Sequence, residues 1–143
     1  MSDPFVLAHL SDVHLGPLPR FGRAHWNTKR ALGWMNWMRK RRATHRPEIL
    51  ARLLEDMAAQ SPTHLAVTGD LINIGLPEEY EGATRWLDHF GSAGHVSVVP
   101  GNHDIYTHLG ADPGVARWAP WMTSFDDADP STLSEPGADW SLD

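Results

Sequence analysis

Apolar and polar positions along the chain fall into two periods. Phe5 to Leu10 is a short apolar run that stops at Ser11-Asp12, His64 to Thr68 stops at Gly69-Asp70, and His95 to Val99 stops at Pro100-Gly101. Runs of this length, bounded by turn residues, predict buried strands, and their near-continuous apolar content predicts parallel strands covered on both faces. Helical spacing lies between them. Ile49, Leu50, Leu53, Leu54 and Met57 form one stripe over 48–60, with Pro47 at the start and Ser61-Pro62 at the end. Tyr80, Ala83, Leu87 and Phe90 form another over 77–90, led by Pro77, Glu78 and Glu79, with Gly91 as its cap. A third helix is expected over 28–42, where Leu32, Trp34, Met35, Trp37 and Met38 crowd one side. Strand, helix, strand, helix, strand means βαβ units: an α/β fold with three parallel strands and crossover helices.

After Asp104 the pattern weakens. Val115, Trp118, Trp121 and Met122 fit one short helix, and from Phe125 onward Asp, Pro, Ser and Gly dominate. Residues 126–143 therefore read as a disordered tail. The 143 residues fit one domain. The absence of cysteine excludes disulfides, thiol nucleophiles and cysteine-based zinc sites. The N-terminus lacks the basic start of a signal peptide and no apolar stretch is long enough to span a membrane, so a cytoplasmic location is expected.

The net charge of −6 hides an asymmetry. Residues 20–52 hold ten of the twelve basic residues and a single acid, Glu48, whereas 126–143 hold six acids and no base. The basic block favours anionic partners; it contains no nucleic-acid recognition motif.

Candidate chemistry sits at the strand ends. In an open α/β sheet the carboxyl ends of the strands line the functional crevice. The first strand delivers Asp12 and His14, the second Gly69-Asp70 and Asn73, the third Gly101-Asn102-His103-Asp104. Carboxylate, imidazole and amide oxygen together suit a first-row divalent ion such as Mn, Fe or Zn better than a calcium cage. On an extended segment Asp12 and His14, two apart, face the same way, and Asp70 has two oxygens with which to bridge two ions. Each motif alone is commonly just a turn; all three following expected strands, with room for a crossover helix between them, is what points to a metal site.

SDVHLG, GDLIN and GNHD resemble the first three signature blocks of the calcineurin-like metallophosphoesterases, a resemblance that covers about residues 5–105. It implies an αββα sandwich and a dinuclear centre of two divalent ions that activates a bridging hydroxide against a phosphate mono- or diester. Asp12 and His14 would bind the first ion, Asp70 both, and Asn102 the second. His103 would act near the leaving group, with Asp104 orienting it.

The family's later blocks, Gly-His and Gly-His-x-His, do not occur in order. Gly94-His95 precedes GNHD, and His108 follows a threonine. Residues 1–125 thus read as a partial domain, the N-terminal half of the sandwich, in a truncated and weakly active or inactive chain whose incomplete sheet is expected to self-associate. Two other functions compete. One is a metal-binding remnant without turnover. The other is a peripheral contact with anionic membrane through Trp34, Met35, Trp37, Met38 and Arg39-Lys40-Arg41-Arg42; its simpler counterpart packs the aromatics on the sheet and leaves the arginines in water.

Overall fold

The computed structural model describes residues 4–20, 28–37, 46–105 and 111–123. The acidic segment 126–143, His108, Met38 and Arg39-Lys40-Arg41-Arg42 lie outside the described residues.

Three strands, β1 (Leu7–Ser11), β2 (His64–Thr68) and β3 (Val96–Val99), form a parallel sheet in the order β1-β2-β3. Leu7 pairs with His64 and Ser11 with Thr68; Leu65 pairs with Val96 and Thr68 with Val99. That register puts Ala8, Leu10, Leu65, Val67, Val96 and Val98 on one face, and this is where the core lies.

The crossover helices supply the other half of that core. In α2 (Pro47–Ala59) the proline occupies the first turn, where its missing N–H costs nothing, and Ser61 at φ 48° with Pro62 follows the end. In α3 (Pro77–Phe90) the stripe Tyr80, Ala83, Leu87 and Phe90 is buried throughout, as the spacing predicts. Each such large side chain contributes about 1.5–3 kcal/mol by leaving water. Only part of the α2 stripe follows suit. Leu54 is buried, whereas Ile49 and Leu53 are about half exposed, at 48% and 53%. The stripe is wider than its contact with the sheet, and its outer edge borders a groove.

Residues 114–122 divide into a 3₁₀ turn, Gly114–Trp118, and a short helix, α4 (Ala119–Met122), rather than one helix. Trp118 and Trp121 are buried, and the Trp121 indole N–H donates to the Gly91 carbonyl (2.8 Å), so burial leaves that polar atom partnered.

Cover differs between the two faces of the sheet. Along β1 exposure alternates, and on the face opposite the core Leu7 and Val99 remain 58% and 60% exposed. Polar pairs sit among them: His9 Nε2 with Thr68 Oγ1 (2.7 Å) and His64 Nε2 with Ser97 Oγ (2.9 Å). Among the described residues, the helices cover one face.

Helix α1 (Thr28–Asn36) begins where the sequence predicts. Arg30 is buried and its Nη2 donates to the Gly75 carbonyl (2.7 Å). One turn on, Gly33 faces the loop after β2, where a Cβ would stand 3.0 Å from Ile74 Cγ2. Leu32 and Met35 point outward, 58% and 44% exposed.

Candidate metal centre

The three loops that leave the carboxyl ends of the strands converge at one rim. Asp12, His14 and Asp70 each bring a ligand atom there, all within 4.8 Å of one another. His14 and Asp70 are buried and Asp12 is exposed.

The route by which Asp12 and His14 meet differs from the extended segment expected. Strand β1 ends at Ser11, and Asp12 and His14 take positive φ values of 52° and 45°. L-residues enter that region at a cost of about 1 kcal/mol or more each. The backbone holds them there through β2's continuation. The N–H groups of Asp12, His14 and Leu15 donate to the carbonyls of Thr68 (3.2 Å), Asp70 (2.9 Å) and Leu71 (2.8 Å). Ser11 Oγ hydrogen-bonds the Asp12 carboxylate.

Asp70 is clamped more tightly. Its Oδ1 accepts the backbone N–H of His103 (2.8 Å), and Gly101 passes so close that a Cβ there would lie 2.2 Å from Oδ1 and 2.6 Å from the Asp70 nitrogen. Glycine at 101 is therefore a steric requirement of the site. Gly69, at φ 80°, lets β2 turn beneath Asp12. Asn102 is exposed, between Gly101 and His103, both of whose backbones press on Asp70.

Both site histidines are oriented by the loop after β2. His14 Nδ1 lies 3.0 Å from the Ile72 carbonyl and His103 Nδ1 2.7 Å from the Asn73 carbonyl. A carbonyl only accepts, so each Nδ1 carries the hydrogen, and in the neutral ring each Nε2 keeps a lone pair. The rings meet edge to face with centroids 5.4 Å apart. His14 Nε2 stands 3.6 Å from Asp70 Oδ2. That is beyond a hydrogen bond but right for two donors about 2.1 Å from one ion, which lie about 3–3.6 Å apart at ordinary coordination angles. The residues present fit a divalent cation.

Asp104 grips the backbone of this rim with its carboxylate. Its Oδ1 accepts from Leu71 N–H (2.9 Å) and Ile72 N–H (3.0 Å), and its Oδ2 from Gly101 N–H (2.8 Å). Its own carbonyl accepts from the Tyr80 hydroxyl (2.8 Å). Burial raises its carboxyl to about 6; the N–H groups of Gly101, Ile72 and Leu71 oppose the shift and the Asp70 charge adds to it. The Asn73 carbonyl beside His103 Nδ1 belongs to the main chain, which no side-chain pattern announces.

A second buried carboxylate supports the rim, one that sequence pattern does not single out. Glu79 reads as a helix-dipole residue, yet it is 7% exposed and its oxygens accept from Asn73 (2.8 Å), Ile74 (3.2 Å) and Leu76 (2.9 Å) N–H groups. Burial pushes its carboxyl above the usual range although those N–H groups pull the other way. Its place three residues after the N-cap, behind Gly75, is the one signal of this role in the sequence.

Beside the rim runs a groove of about 620 Å³. Leu10, Leu50, Leu53 and Trp86 line it together with Asp12 and His14.

In comparison with protein families, the chain matches the model described as calcineurin-like phosphoesterase over residues 5–140. Comparisons with curated proteins and with solved structures found no match. A parallel α/β sheet with Asp12, His14 and Asp70 gathered at its carboxyl rim, matched over nearly its whole length, means that the chain belongs to the calcineurin-like phosphoesterase family, whose members are metal-dependent hydrolases of phosphoester bonds.

Proposed function

We propose that this chain holds divalent ions for the hydrolysis of a phosphate mono- or diester, with weak or no turnover because only Asp70 and Asn102 serve the second ion. The observation that carries the reading is the gathering of Asp12, His14 and Asp70 ligand atoms within 4.8 Å. Asp12, His14 and Asp70 would hold one ion; Asp70, through its second oxygen, and Asn102 would hold the other. When bound, such ions lower the pKa of a water towards 7 and neutralise phosphate oxygens. Mn, Fe and Zn all suit these donors.

The protein's own groups supply the rest. The Asn73 carbonyl takes the Nδ1 hydrogen of His103, which leaves Nε2 as the atom that works on substrate. Protonated there, His103 donates to the departing ester oxygen. The Gly101 turn and the His103 N–H fix Asp70, so the bridging carboxylate is set before substrate arrives. The groove that Asp12 and His14 line with Leu10, Leu50, Leu53 and Trp86 offers apolar walls for the organic part of the ester.

Turnover of bis(p-nitrophenyl) phosphate in excess Mn²⁺, with Mn²⁺ stoichiometry by calorimetry, tests the reading. Two bound ions and turnover abolished by Asp70→Asn support it. Mn²⁺ binding without turnover leaves the metal-binding remnant; no Mn²⁺ binding removes the reading altogether.

A second reading rests on Leu32 and Met35, exposed on α1 and followed in sequence by Arg39-Lys40-Arg41-Arg42. This face would contact an anionic membrane. Co-sedimentation with phosphatidylglycerol vesicles, lost in Leu32→Ser/Met35→Ser, is the expected result.

A further inference from the structure

Residues 71–76 form a loop in which every residue is buried, an unusual state for a connection between a strand and a helix. Buried backbone must find partners for its N–H and C=O groups. On the N–H side this loop uses two carboxylates from outside it. Asp104 takes Leu71 and Ile72; Glu79 takes Asn73, Ile74 and Leu76. On the C=O side, the successive carbonyls of Ile72 and Asn73 take the Nδ1 hydrogens of His14 and His103. Gly75 C=O takes Arg30, and the Asn73 side-chain amide donates to the Leu15 carbonyl (2.9 Å), which ties the loop to the exit of β1.

We propose that Glu79 is a positioning residue of the metal centre: by gripping three N–H groups of this loop it aims the two adjacent carbonyls that choose the tautomer of His14 and His103. The inference rests on the metal-dependent reading of the site for its consequence, but not for its geometry.

Peptide planes are rigid, so an N–H held at Asn73 fixes the Ile72 carbonyl across the same plane, and an N–H held at Ile74 fixes the Asn73 carbonyl. Glu79 holds both of those N–H groups. One side chain therefore sets the direction of both acceptors. With the carbonyls aimed, Nδ1–H is the favoured tautomer in both rings, and Nε2 faces the rim where Asp70 Oδ2 lies 3.6 Å from His14 Nε2. Groups that orient a liganding histidine in this way are worth about 10–100-fold in metal affinity. Glu79→Gln keeps one acceptor oxygen and turns an NH₂ toward N–H donors, so it releases at least one plane without emptying the space.

The test reads ring tautomers in the metal-free full chain by long-range ¹H–¹⁵N correlation, together with Mn²⁺ affinity by calorimetry. In the wild type, His14 and His103 are expected as Nδ1–H. In Glu79→Gln, Nε2–H signals appear for one or both, and the Mn²⁺ dissociation constant rises about tenfold to a hundredfold. Val98→Ala, a core truncation on β3, serves as the control for stability loss alone and is expected to leave both rings Nδ1–H. The proposal is overturned by an Nε2–H ring in the wild type, by a Glu79→Gln variant with wild-type tautomers and affinity, or by equal ring changes in Val98→Ala. If Glu79→Gln does not fold, Glu79→Asp, which keeps the charge but is one methylene short, is read by the same signals with the same overturning results. Absence of Mn²⁺ binding in the wild type would sink the phosphoesterase reading, while the metal-free tautomers would still decide the role of Glu79.

Discussion

The two segments that bring ligands to the rim are held in opposite ways. After β2, Asp70 opens a wholly buried loop whose N–H groups are caught by Asp104 and Glu79 and whose first carboxylate is packed against Gly101. After β1, Asp12 and His14 sit at positive φ, with Asp12 exposed, and are held by N–H bonds to the β2 strand and its loop. The β2 loop is a template, and the β1 exit is laid on it. Damage to the template should therefore cost both fold and site, whereas damage to the β1 exit should cost the site alone.

Gly101→Ala should have the largest effect. Its methyl group would overlap Asp70 Oδ1 at 2.2 Å and the Asp70 nitrogen at 2.6 Å, so backbone must move. A loss of about 3 kcal/mol is expected, together with loss of Mn²⁺ binding; thermal melting and calorimetry check both. Wild-type stability in this variant would show that the β2 loop is not the rigid partner.

Asp70→Asn should separate the charge from the packing. The amide oxygen can still accept the His103 N–H, so the fold should survive, while Mn²⁺ affinity should fall by more than about a hundredfold. Unchanged two-ion stoichiometry by elemental analysis would remove Asp70 from the bridging position.

The template should also carry a pH signature. The Asp104 carboxyl is raised from 3.8 to about 6 in the fold, chiefly by burial. The folded state then holds a proton that the unfolded chain has already lost, so this group's contribution to stability falls as pH rises from about 4 to about 6 and is flat above. The expected loss is about 3 kcal/mol for the metal-free chain. Urea midpoints across that range check it, and Asp104→Asn should flatten the slope.

The smallest effect belongs to the β1 exit. Asp12→Gly relieves a side chain at φ 52° while adding backbone freedom to the unfolded chain, so stability should stay within about 0.5 kcal/mol. Mn²⁺ affinity should nonetheless drop. Paired melting and calorimetry curves would show one property moving without the other; a marked destabilisation would make the two segments equivalent after all.

Much of this is legible in the chain. Apolar runs closed by Ser-Asp, Gly-Asp and Pro-Gly locate β1, β2 and β3 to within a residue or two, and the rule that strand ends carry the chemistry singles out Asp12, His14 and Asp70. What stays hidden depends on partners distant in sequence. The positive φ of Asp12 and His14 follows from pairing with β2 and its loop. Arg30 looks like one more solvated cation until the Gly75 carbonyl, 45 residues away, is placed over it. Glu79 obeys the helix-dipole rule, so its position alone does not distinguish it from a solvated acid of the first turn; the loop it caps is what makes it buried. Main-chain acceptors such as those of Ile72 and Asn73 leave no mark on side-chain patterns.

The parallel pairing of β1 with β2 also sets an order of events during synthesis. His14 meets its carbonyl partner Ile72 across 58 residues. At translation speeds of about 5–20 residues per second, the first ligands wait about 3–12 seconds for the strand that shapes them. Among the described residues, the backbone bonds that hold Asp12 and His14 run to β2 and its loop, so the ion site takes shape only once that segment is made. An ion that binds only after β2 docks stabilises the docked state by about 2.7 kcal/mol at a hundred times its dissociation constant. Metal supply would then act as a proofreading signal on the pairing of the first two strands.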